Sequence, residues 1–339
     1  MNENSNQVWV FVEQRSGKPA DVSFELLSKG RKLADQLNGN VRAIVIGHNM
    51  QEVANETFRF GADEVLLVDH PQLAVYRTLP YSRIVSELVA EHLPRIVLYG
   101  ATVIGRDIAP RVASFTRSGL TADCTDLQIS DVNYLRKDYK DLLLQIRPAF
   151  GGNIIATIIT PDNPVQMATV REGVMESLPV TSPGNGKITN VPYVESEADD
   201  LVKIIESHHE ESKVNLKAAP IIISGGYGMG TKERFDVLHK LADVIGGEVG
   251  GSRAAVDAGF IQPERQVGQT GVTVRPKLYI ACGISGAIQH RAGMQESKKI
   301  IAINSDPSAP IFDVCHYGVV GDAVDVVHKF IDAYKSKLK

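Results

Sequence analysis

The sequence predicts an α/β protein of two domains, and three observations lead to this class. Short apolar runs alternate with helix-like segments through the first hundred residues, which is the pattern of a parallel sheet with helices on both faces. A second series of such runs begins at Ala219, after a stretch rich in proline, glycine and acidic residues. With 339 residues, the chain is long enough for two domains that each bury a core.

Four apolar runs in the N-terminal half are predicted to be parallel strands. They are separated by segments of helical spacing and lie at residues 8–12, 41–46, 65–68 and 95–99. The intervening helices are predicted after Asp21, from Gln51 and around Tyr81, with Gly39 and Gly61 as stop signals.

A further helix is predicted to begin at Gly105 or Asp107. Arg106 and Arg111 lie near that start, so the segment is interpreted either as a phosphate site or as a solvated helix terminus. We leave both alternatives open here.

Between residues 127 and 170 the apolar runs are no longer separated by long helices. The runs at 142–146, 154–160 and 165–170 predict that antiparallel strands are added to this parallel-sheet domain. The connection at 147–153 contains Pro148 and two glycines. With Arg147 beside Phe150, it either faces a flat anionic ligand or a partner subunit, or it is a hairpin corner.

We predict an N-terminal domain at residues 1–192, a linker region at 193–213 and a C-terminal domain at 214–339. The linker contains an acidic run at 195–200. Before it, several residues are predicted to break any regular element: Pro179, Pro183, Gly184, Gly186 and Pro192.

The C-terminal domain is predicted to be a Rossmann-like, doubly wound sheet. A strand at 221–224 runs into the glycine-rich turn 225–230, and an amphipathic helix carrying Phe235 follows, as in a phosphate-binding turn. The apolar runs 277–282 and the one ending at Asn304 are predicted to be buried parallel strands.

Composition restricts the classes of function. A net charge of −4 argues against nucleic acid, which needs a basic surface. The three cysteines form no Cys-x-x-Cys pair, as expected in a reducing compartment. The sequence shows no signal peptide, and no apolar run approaches the roughly 20 residues that span a bilayer. We therefore expect a cytoplasmic protein without membrane insertion, and the histidine spacing predicts no metal site.

Polar groups follow the predicted strands of the C-terminal domain, where doubly wound sheets bind ligands. They are Ser252, Arg253, Gly268, Gln269, Thr270, Ser285, Gly286, Ala287, Gln289, His290, Asn304 and Asp322. Taken alone, each of these residues could have a purely structural role, as a core histidine, a turn residue or a helix cap. Asp322 is predicted to cap a last helix with the apolar face Val326, Val327, Phe330 and Tyr334. Together the polar groups indicate a site for a large cofactor.

Three motifs resemble the α subunit of electron-transfer flavoproteins. They are GSRAAVDAGF at 251–260, QVGQTG at 266–271 and GISGAIQH at 283–290. The domain order and RPAFGGN at 147–153 extend the resemblance over essentially the whole chain. It implies that the second domain binds FAD, that the first packs on a β subunit in a heterodimer, and that single electrons pass between a dehydrogenase, such as acyl-CoA dehydrogenase, and an acceptor.

The resemblance also implies a role for each site residue. Arg253 would lie over the isoalloxazine ring, the Thr270 hydroxyl near N5 and His290 near O2, so these three act on the electron transfer itself. The other cofactor-binding residues would be Gly228, Ser252, Val267, Gly268, Gln269, Ser285, Gly286, Ala287, Ile288 and Gln289, with Asn304 and Asp322 at the adenosine end.

One position departs from the family pattern. Many relatives carry arginine after the Gly-Gly pair, whereas this chain carries Tyr227. The diphosphate would lose one cation there, and the amides of Gly228, Met229 and Gly230 are expected to take more of the contact.

The implied mechanism follows from charge. Reduction places negative charge near N1 and O2 of the flavin, and a cation such as Arg253 stabilises it. A charge pair at about 4 Å and an effective dielectric of about 20 contributes about 4 kcal/mol, or about 170 mV as an upper bound. His290, if protonated, would act in the same direction.

One variant of this carrier and two other functions are weighed against it. A flavin-based electron-bifurcating complex, with NADH as donor and an acyl-CoA dehydrogenase as partner, is a variant of it. A self-sufficient NAD-dependent dehydrogenase would need a Gly-x-Gly-x-x-Gly fingerprint and a catalytic acid/base pair, and neither is apparent. A nucleotide-sensing module without redox chemistry is the third reading.

Overall fold

The computed structural model describes residues 6–149, 154–181, 186–202, 204–206 and 215–337. The chain divides into two compact units, Met1–Ser207 and His208–Lys339. The predicted domain limits stay predictions. Several positions on which the sequence predictions rest lie outside the described residues: 150–153, Pro183, Gly184 and Val214.

The first unit is built on seven parallel strands in the order β12-β5-β4-β1-β6-β11-β7. Those strands are β1 (Val8–Val12), β4 (Val41–Gly47), β5 (Glu64–Asp69), β6 (Ile96–Gly100), β7 (Gly119–Cys124), β11 (Gln166–Val170) and β12 (Lys187–Asn190). A small hairpin consists of β2 (Gln14–Arg15) and β3 (Lys18–Pro19). Buried side chains on both faces of the sheet form two apolar clusters.

Helices cover this sheet as the alternating pattern predicts. They are α1 (Asp21–Gln36), α2 (Gln51–Thr57), α3 (Thr78–His92) and α4 (Val103–Thr116). After α2, a turn of 3-10 helix ends at Gly61, whose φ of +102° is easily adopted by glycine. The predicted parallel-sheet class of this unit is confirmed.

The added antiparallel strands are confirmed as well. A separate sheet contains β8 (Asp126–Tyr134), β9 (Lys137–Pro148) and β10 (Ile155–Ile158). Because β9 pairs antiparallel with β10, Arg147 and Pro148 lie in a hairpin, opposite Ala156 and Ile155. The run at 165–170 belongs instead to the parallel sheet, since β11 is buried between β6 and β7.

The expectation that the proline- and glycine-rich segment forms no regular element is wrong at one place. β12 pairs in parallel with β5, and the Thr189 hydroxyl donates to the Glu64 carboxylate at 2.8 Å. This short edge strand is stabilised by its neighbour, which is 125 residues away in sequence.

Helix α4 begins at Val103, earlier than predicted. The Thr102 side chain caps it by accepting from the amide of Gly105 at 2.9 Å. The two arginines near its start both have acidic partners: Arg111 bonds Asp107 at 3.1 Å, and Arg106 lies 3.7 Å from Asp123. These pairs favour the solvated helix terminus over the phosphate site.

The second unit contains five parallel strands in the order β14-β13-β15-β16-β17. They are β13 (Ile221–Gly225), β14 (Glu248–Gly251), β15 (Leu278–Cys282), β16 (Ile300–Asn304) and β17 (Tyr317–Val320). The helices are α5 (Asp236–Ile245), α6 (Arg253–Asp257), α7 (Ile288–Arg291) and α8 (Ala323–Lys337). The chain winds from β13 to β14 and then returns to β15 on the other side, so the predicted doubly wound fold is confirmed.

Three details differ from the sequence prediction. The glycine turn enters a 3-10 helix at Tyr227–Met229, and α5 begins only at Asp236. The segment after β15 contains only the four-residue helix α7, preceded by a loop. On α8 the buried residues include Val327 and Ile331, whereas Tyr334 is exposed.

Candidate functional site

The predicted ligand-binding residues of the second unit gather at one edge of its sheet. Gly225, the last residue of β13, lies opposite Gly251 of β14 and Cys282 of β15. Asn304, the last residue of β16, lies opposite Val320 of β17. The five strands therefore end together, and the polar residues that follow them share the carboxyl edge.

The switch point of the sheet is closed by contacts between glycines. The amide of Gly226 donates to Cys282 O at 2.8 Å, and that of Gly228 donates to Gly283 O at 3.0 Å. A Cβ on Gly226 would overlap this Gly283 carbonyl. Only glycine allows the turns after β13 and β15 to approach so closely.

The amides of the glycine turn are already used within the protein. Besides the Gly228 bond, Met229 donates to Gly226 O at 3.1 Å and Gly230 donates to Tyr227 O at 3.0 Å. These three N–H groups therefore have backbone acceptors within the turn and at Gly283. Tyr227 itself is exposed and stacks on Phe260, with ring centroids 5.9 Å apart.

Ser252 and Arg253 follow β14 directly. The Ser252 hydroxyl caps α6 by accepting from the Ala255 amide at 3.3 Å. The Arg253 side chain is 70% exposed, and its Nε lies 3.5 Å from Asp257 Oδ2. Arg253 is thus a solvent-accessible cation that is partly neutralised by a neighbouring carboxylate.

The loop from Gln266 to Gly271 is fixed at both sides. The Val267 amide donates to Gly251 O at 2.8 Å, and the Gln269 amide donates to Gln289 O at 2.7 Å. Gly268 has a φ of +148°. The Thr270 hydroxyl, at the exposed tip, accepts from Gln266 Nε2 at 3.0 Å. The structure therefore joins the 266–271 and 283–290 motifs into one surface.

The loop after β15 presents most of its predicted residues to solvent. Ser285, Ala287, Ile288 and Gln289 are exposed, whereas Gly286 and His290 are buried. Gly286 has a φ of +87°, and a Cβ there would overlap the backbone of Ile311. The shape of the loop after β15 therefore depends on glycine, as does the shape of the turn after β13.

Among the titratable residues of the predicted site, His290 is the one that is buried. It is 6% exposed, and its Nε2 lies 3.0 Å from the Tyr279 hydroxyl. Burial lowers the pKa of His290 to about 4, against a weaker opposite effect of the Val267 backbone. The ring is therefore neutral at pH 7, and the protonated state considered from the sequence does not apply to this structure.

This neutral histidine predicts a specific dependence of stability on pH. Because the unfolded chain binds a proton near pH 6.5 and the folded ring near pH 4, the contribution of His290 is present above pH 6.5 and is lost towards pH 4. It amounts to about 3 kcal/mol in total and about 2 kcal/mol between pH 7 and 5. Urea unfolding should show a shallower pH dependence for His290→Gln than for the parent. The exposed His328→Gln is the control, and identical slopes for all three proteins would contradict the assignment.

Asn304 and Asp322, which lie at the end of β16 and just after β17, both form hydrogen bonds within the protein. Asn304 donates from Nδ2 to Ile284 O at 2.9 Å and accepts from the Asp306 amide at 3.0 Å. Asp322 caps α8 as predicted, with Oδ1 accepting from the Val324 amide at 2.9 Å. Its other oxygen accepts from Arg234 at 2.6 Å, which lowers the pKa of Asp322.

Arg234 is a residue that the sequence reasoning missed. It lies just before α5, and its guanidinium is near the glycine turn at Gly230. An arginine between a glycine-rich turn and a helix is a pattern from which Arg234 could have been predicted as a site residue. Its pairing with Asp322, 88 residues later, was not readable from the sequence.

Neither a membrane helix nor a metal cluster is found in the part of the chain that the structure describes. No described helix has the length and apolar character needed to cross a bilayer. Within the same residues, no three or more His, Cys, Asp or Glu side chains are grouped so that they could hold a metal ion.

Comparisons with known families match both units. The model described as "Electron transfer flavoprotein domain" matches residues 8–196, and "Electron transfer flavoprotein FAD-binding domain" matches residues 215–295. These two ranges together cover most of the first unit and the larger part of the second.

Individual relatives match over nearly the full length. The electron transfer flavoprotein subunit alpha of Thermoanaerobacterium thermosaccharolyticum is 51% identical, covering 98% of each chain. The one from Megasphaera elsdenii is 46% identical, covering 97% of this chain and 96% of the relative. The acryloyl-CoA reductase electron transfer subunit beta of Anaerotignum propionicum is 44% identical, covering 97% of this chain and 95% of the relative.

Proposed function

Because the chain belongs to the α subunits of the electron transfer flavoprotein family, with their FAD-binding domain in its C-terminal half, we propose that it carries single electrons as one half of a heterodimer with a β subunit. The observation that carries this proposal is the convergence of the predicted residues at the carboxyl edge of the second sheet. Family membership replaces the two competing readings, an NAD-dependent dehydrogenase and a nucleotide-sensing module.

The residues present at this edge fit FAD. Glycines at 226 and 283 let the backbone turns close the switch point, as binding of a dinucleotide at that crevice requires. A buried nitrogen, His290 Nδ1, makes no hydrogen bond of ordinary geometry to the described residues, so a donor or acceptor is available to a ligand. FAD, when bound, supplies the ring that accepts and releases electrons.

Each group has a proposed task that its environment supports. Ser252 and the segment with Ser285 and Gln289 offer exposed hydroxyl, amide and backbone groups to the diphosphate and ribityl chain. The fixed loop would hold Val267, Gly268, Gln269 and Thr270 along the ring. Gly228 would contribute through its backbone, and Gly286, Ala287 and Ile288 would contribute the loop after β15.

Charge at the site is carried by arginine rather than histidine. Arg253, as an exposed cation, would stabilise the reduced ring, whereas the neutral His290 would contribute through hydrogen bonding alone. Asn304 and Asp322 are assigned to the adenosine end, where Asp322 brings Arg234 with it. This arrangement supplies a cation near the adenosine and diphosphate region without an arginine at position 227.

The redox partner is proposed from the role of one relative. A 44% identical relative is an electron transfer subunit of an acryloyl-CoA reductase, so we favour an acyl-CoA dehydrogenase or reductase as the partner of this chain. Bifurcation with NADH is the second form of the same function. The cysteines Cys124, Cys282 and Cys315 are all free, which agrees with the proposed cytoplasmic location.

Co-expression with a β subunit tests the function. We expect a yellow heterodimer whose FAD takes up electrons one at a time during stepwise anaerobic reduction, recorded by visible spectroscopy. Two FADs per heterodimer, one of them reduced by NADH, would identify the bifurcating form. A colourless heterodimer that does not take up added FAD would overturn the proposal.

A further inference from the structure

Three buried side chains from separate elements meet beneath the candidate FAD site. Ser224 lies on β13, Tyr279 on β15 and His290 on α7. Ser224 and Tyr279 are fully buried, and His290 is 6% exposed. Polar groups buried in an apolar cluster are costly unless their hydrogen bonds are satisfied, so their arrangement needs an explanation.

Tyr279 and His290 form the central contact of this group. The phenol oxygen lies 3.0 Å from Nε2, and the two ring centroids are 6.1 Å apart. Burial raises the pKa of Tyr279, so its hydroxyl keeps its proton, and the nearby Ser224 side chain acts in the opposite direction. Nε2 is the acceptor within hydrogen-bond distance of this buried phenol, and the phenol O–H is satisfied by donating to it.

The direction of this bond determines where the imidazole proton lies. A neutral imidazole has one donor nitrogen and one acceptor nitrogen. If the phenol donates to Nε2, the proton of His290 must be on Nδ1. Nδ1 is buried and makes no hydrogen bond of ordinary geometry to the described residues, although the Val267 backbone acts weakly on the ring. Such a group costs stability unless a ligand meets it.

The backbone around His290 is fixed in the same place. Its amide donates to Ala287 O at 2.9 Å, and the neighbouring Gln289 carbonyl accepts from Gln269 in the loop assigned to the flavin ring. His290 therefore has little freedom to turn except about its own side-chain bonds. The partner of Nε2 is then what selects the orientation of the ring.

We propose that Tyr279 is a positioning residue for the flavin: it donates to His290 Nε2 and thereby fixes Nδ1 as the donor to a hydrogen-bond acceptor of the bound cofactor. The inference rests on the proposed function, since the acceptor belongs to FAD. Tyr279 itself is buried beneath the site and acts through His290.

The test compares the heterodimer with Tyr279→Phe, which removes only the hydroxyl from a buried ring. Selective ¹⁵N-histidine labelling and NMR, with the His290 signal identified by its loss in His290→Gln, report the tautomer with and without FAD. FAD affinity and the midpoint potentials are measured on the same proteins. The matched control is Tyr317→Phe, which removes a hydroxyl from a 63% exposed tyrosine of the same unit.

We expect one tautomer, protonated at Nδ1, in the parent and the control, and a mixture in Tyr279→Phe. The variant should bind FAD about 3- to 10-fold more weakly, the effect of one hydrogen bond, with shifted midpoint potentials.

Two results would overturn the inference. A parent protonated at Nε2 contradicts it without any variant, so misfolding of Tyr279→Phe would leave the inference testable. Unchanged tautomer and potentials in a folded Tyr279→Phe would do the same. Either result with FAD bound leaves the carrier function intact, whereas a parent that binds no FAD refutes the function itself.

Discussion

Replacing Arg253 by alanine is expected to lower the midpoint potential of the bound FAD. Arg253 is the cation that follows β14 at the carboxyl edge, where the proposed ring position lies. Reduction adds negative charge to the ring, and a nearby positive charge stabilises the reduced form. Loss of that charge must therefore make reduction harder.

The size of the shift depends on screening. A charge pair at about 4 Å and an effective dielectric of about 20 gives about 4 kcal/mol, or about 170 mV at 59 mV per tenfold change for one electron. The side chain is 70% exposed and faces Asp257, so solvent and a counter-charge weaken the effect. An exposed pair contributes about 1 kcal/mol, or about 40 mV, and we expect a result between these limits.

Two further variants separate charge from shape. Arg253→Lys keeps the positive charge and should keep most of the potential. Asp257→Asn removes the counter-charge 3.5 Å from the arginine and should raise the potential. Spectroelectrochemical titration of the heterodimers measures all three. An Arg253→Ala protein with full FAD content and the parental potential would refute this role of Arg253.

The position of the site could be predicted because it depends on strand direction. Parallel strands end at a common edge, so residues such as Ser252, Ser285 and Asn304 are brought together once the strands are recognised. The glycines could be recognised for a similar reason, since closely approaching turns exclude side chains. Both features depend on short segments that a sequence displays directly.

The remaining features depend on contacts that are distant in sequence. The charge state of His290 follows from its burial against Tyr279, and a histidine beside exposed residues gives no sign of that burial. The edge strand β12 has only four residues and exists through its pairing with β5. The Arg234–Asp322 pair forms because the starts of α5 and α8 lie near each other.

The same reasoning predicts the effect of a single methyl group at the switch point. Gly226→Ala places a Cβ against the Gly283 carbonyl, so the turns after β13 and β15 must separate. Overpacking of this kind costs about 1 to 3 kcal/mol, and the separation changes the crevice at which FAD is proposed to bind. We expect a folded but less stable heterodimer that loses most of its FAD during gel filtration.

Gly246→Ala distinguishes this effect from ordinary glycine strain. Gly246 ends α5 with a φ of +70°, and a Cβ there meets no atom within 4 Å. Its substitution should cost about 1 kcal/mol of stability through backbone conformation alone, with FAD retained at the parental ratio. If Gly226→Ala kept its FAD while losing the same stability as Gly246→Ala, the close approach of the two turns would not be needed for the cofactor. Loss of FAD from Gly226→Ala alone would instead tie cofactor binding to the contact between Gly226 and Gly283, because the two variants differ in what the added methyl group touches.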